Sequence, residues 1–150
     1  MIAITRADIG YPGKVILKSI SLQIEKGQIV LMEGPNGSGK TTFARTLLGV
    51  LPVLNRTLKA SFARAAYVPQ KSVLDEQYPL TLEKLVYGGL PVTRPLFSRR
   101  ETKMHDREKV SSALDRTGIL GVSQLSIREA SGGQLQRALI SRALVSEPDF

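Results

Sequence analysis

The chain has 150 residues, with 21 Lys plus Arg against 13 Asp plus Glu, for a formal net charge of +8. It holds no cysteine, which excludes a disulfide framework and a thiolate metal site. No apolar run is long enough to cross a bilayer, and Met1 leads directly into the strand-like Ile2-Ala3-Ile4 with no signal peptide, so a soluble or peripheral protein is expected.

In chain order, Ile2 to Thr5 reads as a first strand. Ile16-Leu17 and Ile20 to Ile24 alternate apolar positions as a half-buried antiparallel strand does. Gly10 to Gly13 and Glu25 to Gly27 are turns. Ile29-Val30-Leu31-Met32 is a short apolar run expected to be a buried strand, and Thr42 to Leu48 a helix closed by Gly49. Ala65 to Val68 is expected to be another strand, ended by Pro69. Residues 70–79 are polar and irregular. Thr81 is positioned to cap a helix through Leu82, Leu85 and Val86 that Gly88-Gly89 stops, and residues 90–98 read as loop. Val110, Ala113 and Leu114 mark an amphipathic helix over about 106–117, ended by Gly118, and 119–128 reads as a linking stretch. A last helix spans 131–145.

Between the apolar run and its helix lies Gly34-Pro35-Asn36-Gly37-Ser38-Gly39-Lys40-Thr41, a complete G-x-x-x-x-G-K-[ST] loop. Its glycines let backbone N–H groups turn inward as a nest for phosphate oxygens, and the following helix adds its positive end. Lys40 has the reach for the outer phosphates, and the Thr41 hydroxyl suits a Mg²⁺ shell. These residues point to a nucleoside triphosphate.

Ser131-Gly132-Gly133-Gln134 opens the last helix. Ser131 and Gln134 fit a capping box, and taken alone the glycines are explained as a turn. Glycines behind the cap also expose the N–H groups of a helix start, a second anion site. The basic excess concentrates at Arg94, Arg99, Arg100, Lys103, Arg107 and Lys109, without interleaved aromatics. It reads as a solvated face, and no nucleic acid is expected.

With both motifs in place, the whole chain resembles the ATP-binding subunits of ABC transporters. Gly34 to Thr42 is similar to their Walker A loop, and Ser131-Gly132-Gly133-Gln134 to their signature, with Ala130 where the family usually has Leu. Gln70, after Tyr67-Val68-Pro69, resembles the Q-loop glutamine, and Tyr11 the aromatic that stacks on adenine. Residues 142–149 resemble the approach to Walker B. The resemblance implies an α/β P-loop fold: a mixed β core with an N-terminal antiparallel portion over 1–69, a helical subdomain over 80–129, and a signature helix over 130–150 that returns to the core. It implies MgATP as ligand. Gly37, Ser38, Gly39 and Lys40 would hold the β- and γ-phosphates, Thr41 Mg²⁺, Thr42 the α-phosphate, and Gln70 would sense Mg²⁺ and the attacking water. It also implies a second ATP-binding subunit, homologous or identical, whose nucleotide Ser131 and Gly133 would close over, a transmembrane permease, and a place on the cytoplasmic face of the membrane.

The stretch from Pro69 to Asp75 and from Tyr78 to Leu82 looks similar to the Q-loop region of zinc and manganese uptake ATPases. Phe150 stands where the Walker B strand would begin, so the later part of the core is expected to be missing. The chain then reads as a fragment that hydrolyses little ATP alone. Asp149 lies ahead of that strand, and His105 lies before the signature as a surface residue, so neither is assigned a role. Two other readings stay open: a non-hydrolytic nucleotide-binding remnant, and a soluble ABC-type ATPase acting on ribosomes or DNA.

Overall fold

The computed structural model describes residues 1–55, 59–60, 64–69, 79–91 and 100–150. They fall into two compact units, residues 1–65 and 66–150.

The first unit is a hairpin with a helix on one face. Strand β1 (Ile2–Tyr11) pairs antiparallel with β2 (Lys14–Ile24), and the two-residue β3 (Lys59–Ala60) joins the other edge of β1, giving the order β2-β1-β3. Both long strands exceed the expected ones because β1 carries a bulge. Arg6 has φ 45°, and the apolar alternation slips by one residue there, from Ile2 and Ile4 to Ala7 and Ile9. All four side chains therefore stay buried although their spacing breaks period two. Asp8 pins the irregularity: its carboxylate accepts from the Ser19 N–H at 2.8 Å and from Asn55 Nδ2 at 2.9 Å. Helix α1 (Lys40–Leu47) lays Phe43 and Leu47 against Ile2, Ile4, Ala7, Ile9 and Ile24.

The expected strand Ile29–Met32 does not form. Ile29 is 99% exposed and Leu31 79%. An apolar run becomes a buried strand only between neighbours that pair with it, and among the described residues none does. The expected strand Ala65–Val68 is likewise extended but unpaired, apart from one bond from the Ala66 N–H to the Phe150 carbonyl at 2.8 Å. A single bond does not make a ladder.

The second unit is helical. Helix α2 (Leu82–Tyr87) is capped by Thr81, whose hydroxyl accepts from the Lys84 N–H. Helix α3 (Arg100–Arg116) begins six residues before the apolar periodicity does. Its first turns carry good helix formers with no apolar stripe to announce them. Helix α4 (Gly132–Leu144) presents Leu135, Ala138 and Leu139 to a core shared with Leu82, Leu85 and Val86 of α2 and Val110, Ala113 and Leu114 of α3. Two details fix the packing. A Cβ on Gly89 would lie 2.0 Å from the Arg142 carbonyl oxygen, so the end of α2 meets α4 through glycine alone. The fully buried Ser141 hydroxyl donates to the Ala113 carbonyl of α3 at 3.2 Å and lies 2.7 Å from the Thr117 hydroxyl.

The linking stretch 119–128 is more ordered than its sequence suggests. It contains a short 3-10 turn (Leu120–Val122) and then runs antiparallel to the entrance of α2. Leu82 N–H donates to the Leu125 carbonyl at 3.0 Å, Ile127 N–H to the Leu80 carbonyl at 2.9 Å, and Thr81 bridges Ser126.

Candidate nucleotide-binding site

The loop 34–41 sits on the first unit, ahead of α1. Gly34, Gly37 and Gly39 have φ of 152°, 82° and 94°, backbone that side-chain-bearing residues rarely adopt. At Gly39 a second constraint acts: a Cβ would lie 2.8 Å from Ile16 Cγ2 and 3.3 Å from the Leu17 side chain. The loop thus rests directly on the start of β2. That contact is invisible in the motif, because Ile16 and Leu17 stand more than twenty residues upstream.

Gly39 also precedes the first residue of α1, and no side chain caps this helix start. The first-turn N–H groups of a helix need acceptors from elsewhere, and a phosphate supplies them together with the favoured sign of charge. Lys40 turns back over the loop, and its Nζ donates to the carbonyls of Gly34 and Pro35 at 2.7 and 2.8 Å. Ser38 N–H donates to the same Pro35 carbonyl at 3.2 Å. Among the described residues, two neutral carbonyls hold the ammonium over the loop. An anionic oxygen is the stronger partner for it. Asn36 and Thr41 are exposed, Thr42 is half-buried, and the Thr42 carbonyl accepts from the Thr46 hydroxyl inside α1.

Tyr11 ends β1 opposite Lys14, two residues before Ile16. It is 39% exposed, and it lies at the end of the hairpin on which Gly39 rests. Gln70 lies outside the described residues, as do all the residues after it through Tyr78. Of the basic cluster, Arg94 and Arg99 lie outside as well. Arg107 is exposed, and Lys109 pairs with Glu147 at 3.0 Å. His105 is exposed on α3.

The second motif sits at the start of α4, in the second unit. Both bonds of the capping box form: the Ser131 hydroxyl accepts from the Gln134 N–H at 3.3 Å, and the Ser131 N–H donates to Gln134 Oε1 at 2.8 Å. Ser131, Gly132 and Gly133 are exposed. A Cβ on Gly133 would meet nothing within 4 Å, so no contact among the described residues calls for glycine there.

A second capping box directly upstream escaped the sequence reading, although Ser126-x-x-Glu129 has the same spacing. Glu129 Oε2 accepts from the Ser126 hydroxyl at 2.7 Å and from the Ser126 N–H at 3.1 Å, and the Ser126 hydroxyl accepts from the Glu129 N–H at 3.3 Å. The hydroxyl bond above all, then the backbone bond and the Arg128 charge, hold the Glu129 carboxyl below the ordinary carboxylate range against a small desolvation cost.

Comparison with known proteins agrees with this arrangement. The sequence profile of the ABC transporter family matches residues 17–150. The zinc import ATP-binding protein ZnuC of Ruegeria sp. (strain TM1040) is 37% identical over 151 residues, covering 100% of this chain and 55% of the relative. Its namesake from Chromohalobacter salexigens is 35% identical, with 58% of that protein covered. The chain thus spans about half the length of the curated relatives it matches. Among solved structures, a metal-chelate type ABC transporter in an inward-facing conformation superposes with a TM-score of 0.81 at 22% identity, covering 98% of this chain and 56% of that one. The cbiO1 protein of Clostridium perfringens does so with a TM-score of 0.71, also at 22% identity and with 62% of that chain covered. These likenesses carry the fold, that of the ABC-type P-loop ATPases. The profile match shows that the chain belongs to the ABC transporter family.

Proposed function

We propose that the chain binds MgATP in the 34–42 loop and works as half of an ATP sandwich that drives import of a metal ion, zinc foremost, through a membrane permease. The observation that carries the binding is the Lys40 ammonium, held at the loop mouth by two neutral carbonyls beside a helix start that no side chain caps. A triphosphate satisfies both at once. In this reading Tyr11 stacks on the base, Gly37 to Lys40 hold the outer phosphates, and Thr42 reaches the α-phosphate. Thr41 is suited to share Mg²⁺ with phosphate oxygens. Gln70 is the proposed sensor of Mg²⁺ and the attacking water.

The exposed Ser131, Gly132 and Gly133, with the half-buried Gln134, are proposed to face the nucleotide of a second ATP-binding subunit. Zinc is favoured by the relatives, which are zinc import ATP-binding proteins, and by the stretch around Gln70. The partners are a second ATP-binding subunit and a permease, with the chain on the cytoplasmic face of the membrane. No helix among the described residues is long and apolar enough to cross a membrane. The 150 residues alone are proposed to turn over little ATP.

The binding step is tested by titrating MgATP calorimetrically into wild type and Lys40→Ala. Loss of the ammonium is expected to weaken binding by about a hundredfold or more, the cost of removing a charge-assisted contact to phosphate. Tight binding by the variant would contradict the loop assignment.

A further inference from the structure

The stretch between α3 and α4 does more than connect them. Residues 126–130 form a closed turn. Glu129 and Ser126 bond each other through side chain and backbone in both directions, and the Ala130 N–H donates to the Ser126 carbonyl at 3.1 Å. The next residue is Ser131, whose own box opens α4. On its other side, Ser126 is bridged to Thr81 in a short antiparallel ladder, with Ile127 bonded to Leu80 and Leu125 to Leu82. A third tie, from Gln124 Nε2 to Glu83 Oε2 at 2.9 Å, lies beside it.

Ser131 is therefore anchored to the entrance of α2 through one five-residue turn. Most helix starts need a single cap, whereas this one is preceded by a second cap that opens no helix. We propose that Ser126 and Glu129 are positioning residues: their clamp sets where Ser131 and Gly133 stand, and so how the α4 start meets the nucleotide of the partner subunit. The assignment rests on the ATP-sandwich reading above. The lowered pKa of Glu129, set first by the Ser126 hydroxyl bond, agrees with a carboxylate that stays charged and bonded at neutral pH.

The test is steady-state ATPase kinetics of the full-length polypeptide, with MgATP affinity measured separately on the monomer. Ser126→Ala and Glu129→Ala are each expected to lower kcat about tenfold, because a small misplacement of a group that contacts the reacting phosphate is costly. Monomer affinity should stay unchanged, since the loop 34–42 is untouched. The double variant should fall no further than either single one, because both remove the same clamp. Ser126→Thr, which keeps the hydroxyl, should return kcat to within about twofold.

Wild-type kcat in the alanine variants, multiplicative losses in the double variant, or an equal loss of monomer affinity would each overturn the assignment. Glu129→Gln keeps the shape and one acceptor oxygen and is expected to lose about threefold. Full activity there, alongside alanine variants that fail to fold, would overturn it too. A wild-type polypeptide that binds MgATP but never dimerises would remove the sandwich reading, and this assignment with it.

Discussion

Gly133 separates folding from function at a single residue. It sits in the first turn of α4, where glycine is a poor helix former, and a Cβ there meets open space. Gly133→Ala should therefore leave the fold intact and stabilise it by up to about 1 kcal/mol, read as a higher urea midpoint. The same methyl would stand where the partner's γ-phosphate is proposed to approach, so ATP-driven association should be lost. A variant that is less stable, or that still associates, would mean the glycine serves something else. Single residues of this kind were the most legible part of the sequence. The loop glycines, Lys40 and the Ser131–Gln134 box are short-range patterns whose physics lies within a few residues. Ser126 and Glu129 were equally local and were passed over because no apolar helix follows them directly. What no local pattern contains is the seat of Gly39 on Ile16 and Leu17, which exists only once β2 is folded beneath the loop.

Among the elements, the α2–α4 contact carries the sharpest constraint. The Gly89 Cα faces the Arg142 carbonyl so closely that an added methyl would overlap it, with Val145 Cγ1 only 2.8 Å away. Backbone cannot swing aside as a long side chain can. Gly89→Ala is expected to destabilise the second unit by about 1–3 kcal/mol, the usual cost of overpacking. Urea unfolding followed by circular dichroism checks this, and an unchanged midpoint would contradict the close approach. The two elements that the sequence misassigned share one physical cause. Ile29–Met32 and Ala65–Val68 have strand composition, but a strand is a pairing and not a composition, and among the described residues neither finds a ladder partner. Helix boundaries failed differently. The start of α3 lies in polar residues that no apolar period marks, whereas the stop at Gly118 was plain, with φ 69° at the helix end.

At the scale of the molecule, the two helix starts proposed to meet phosphate lie on separate units, Lys40 on the first and Gly132 on the second. They differ in one respect. The start of α1 has no side-chain cap, while the start of α4 carries a complete capping box and presents Gly133, exposed and with open space where a Cβ would stand. In the proposed reading one receives a ligand and the other is held still against one, the asymmetry that a head-to-tail sandwich of two subunits requires. The measurement that bears on this most directly is the solution mass of the full-length polypeptide by light scattering, with and without MgATP, for wild type and for Ser131→Arg. MgATP should double the mass of the wild type, while Ser131→Arg should bind the nucleotide as tightly and stay a monomer. Dimerisation of Ser131→Arg on adding MgATP would contradict the placement of the α4 start over a partner's nucleotide.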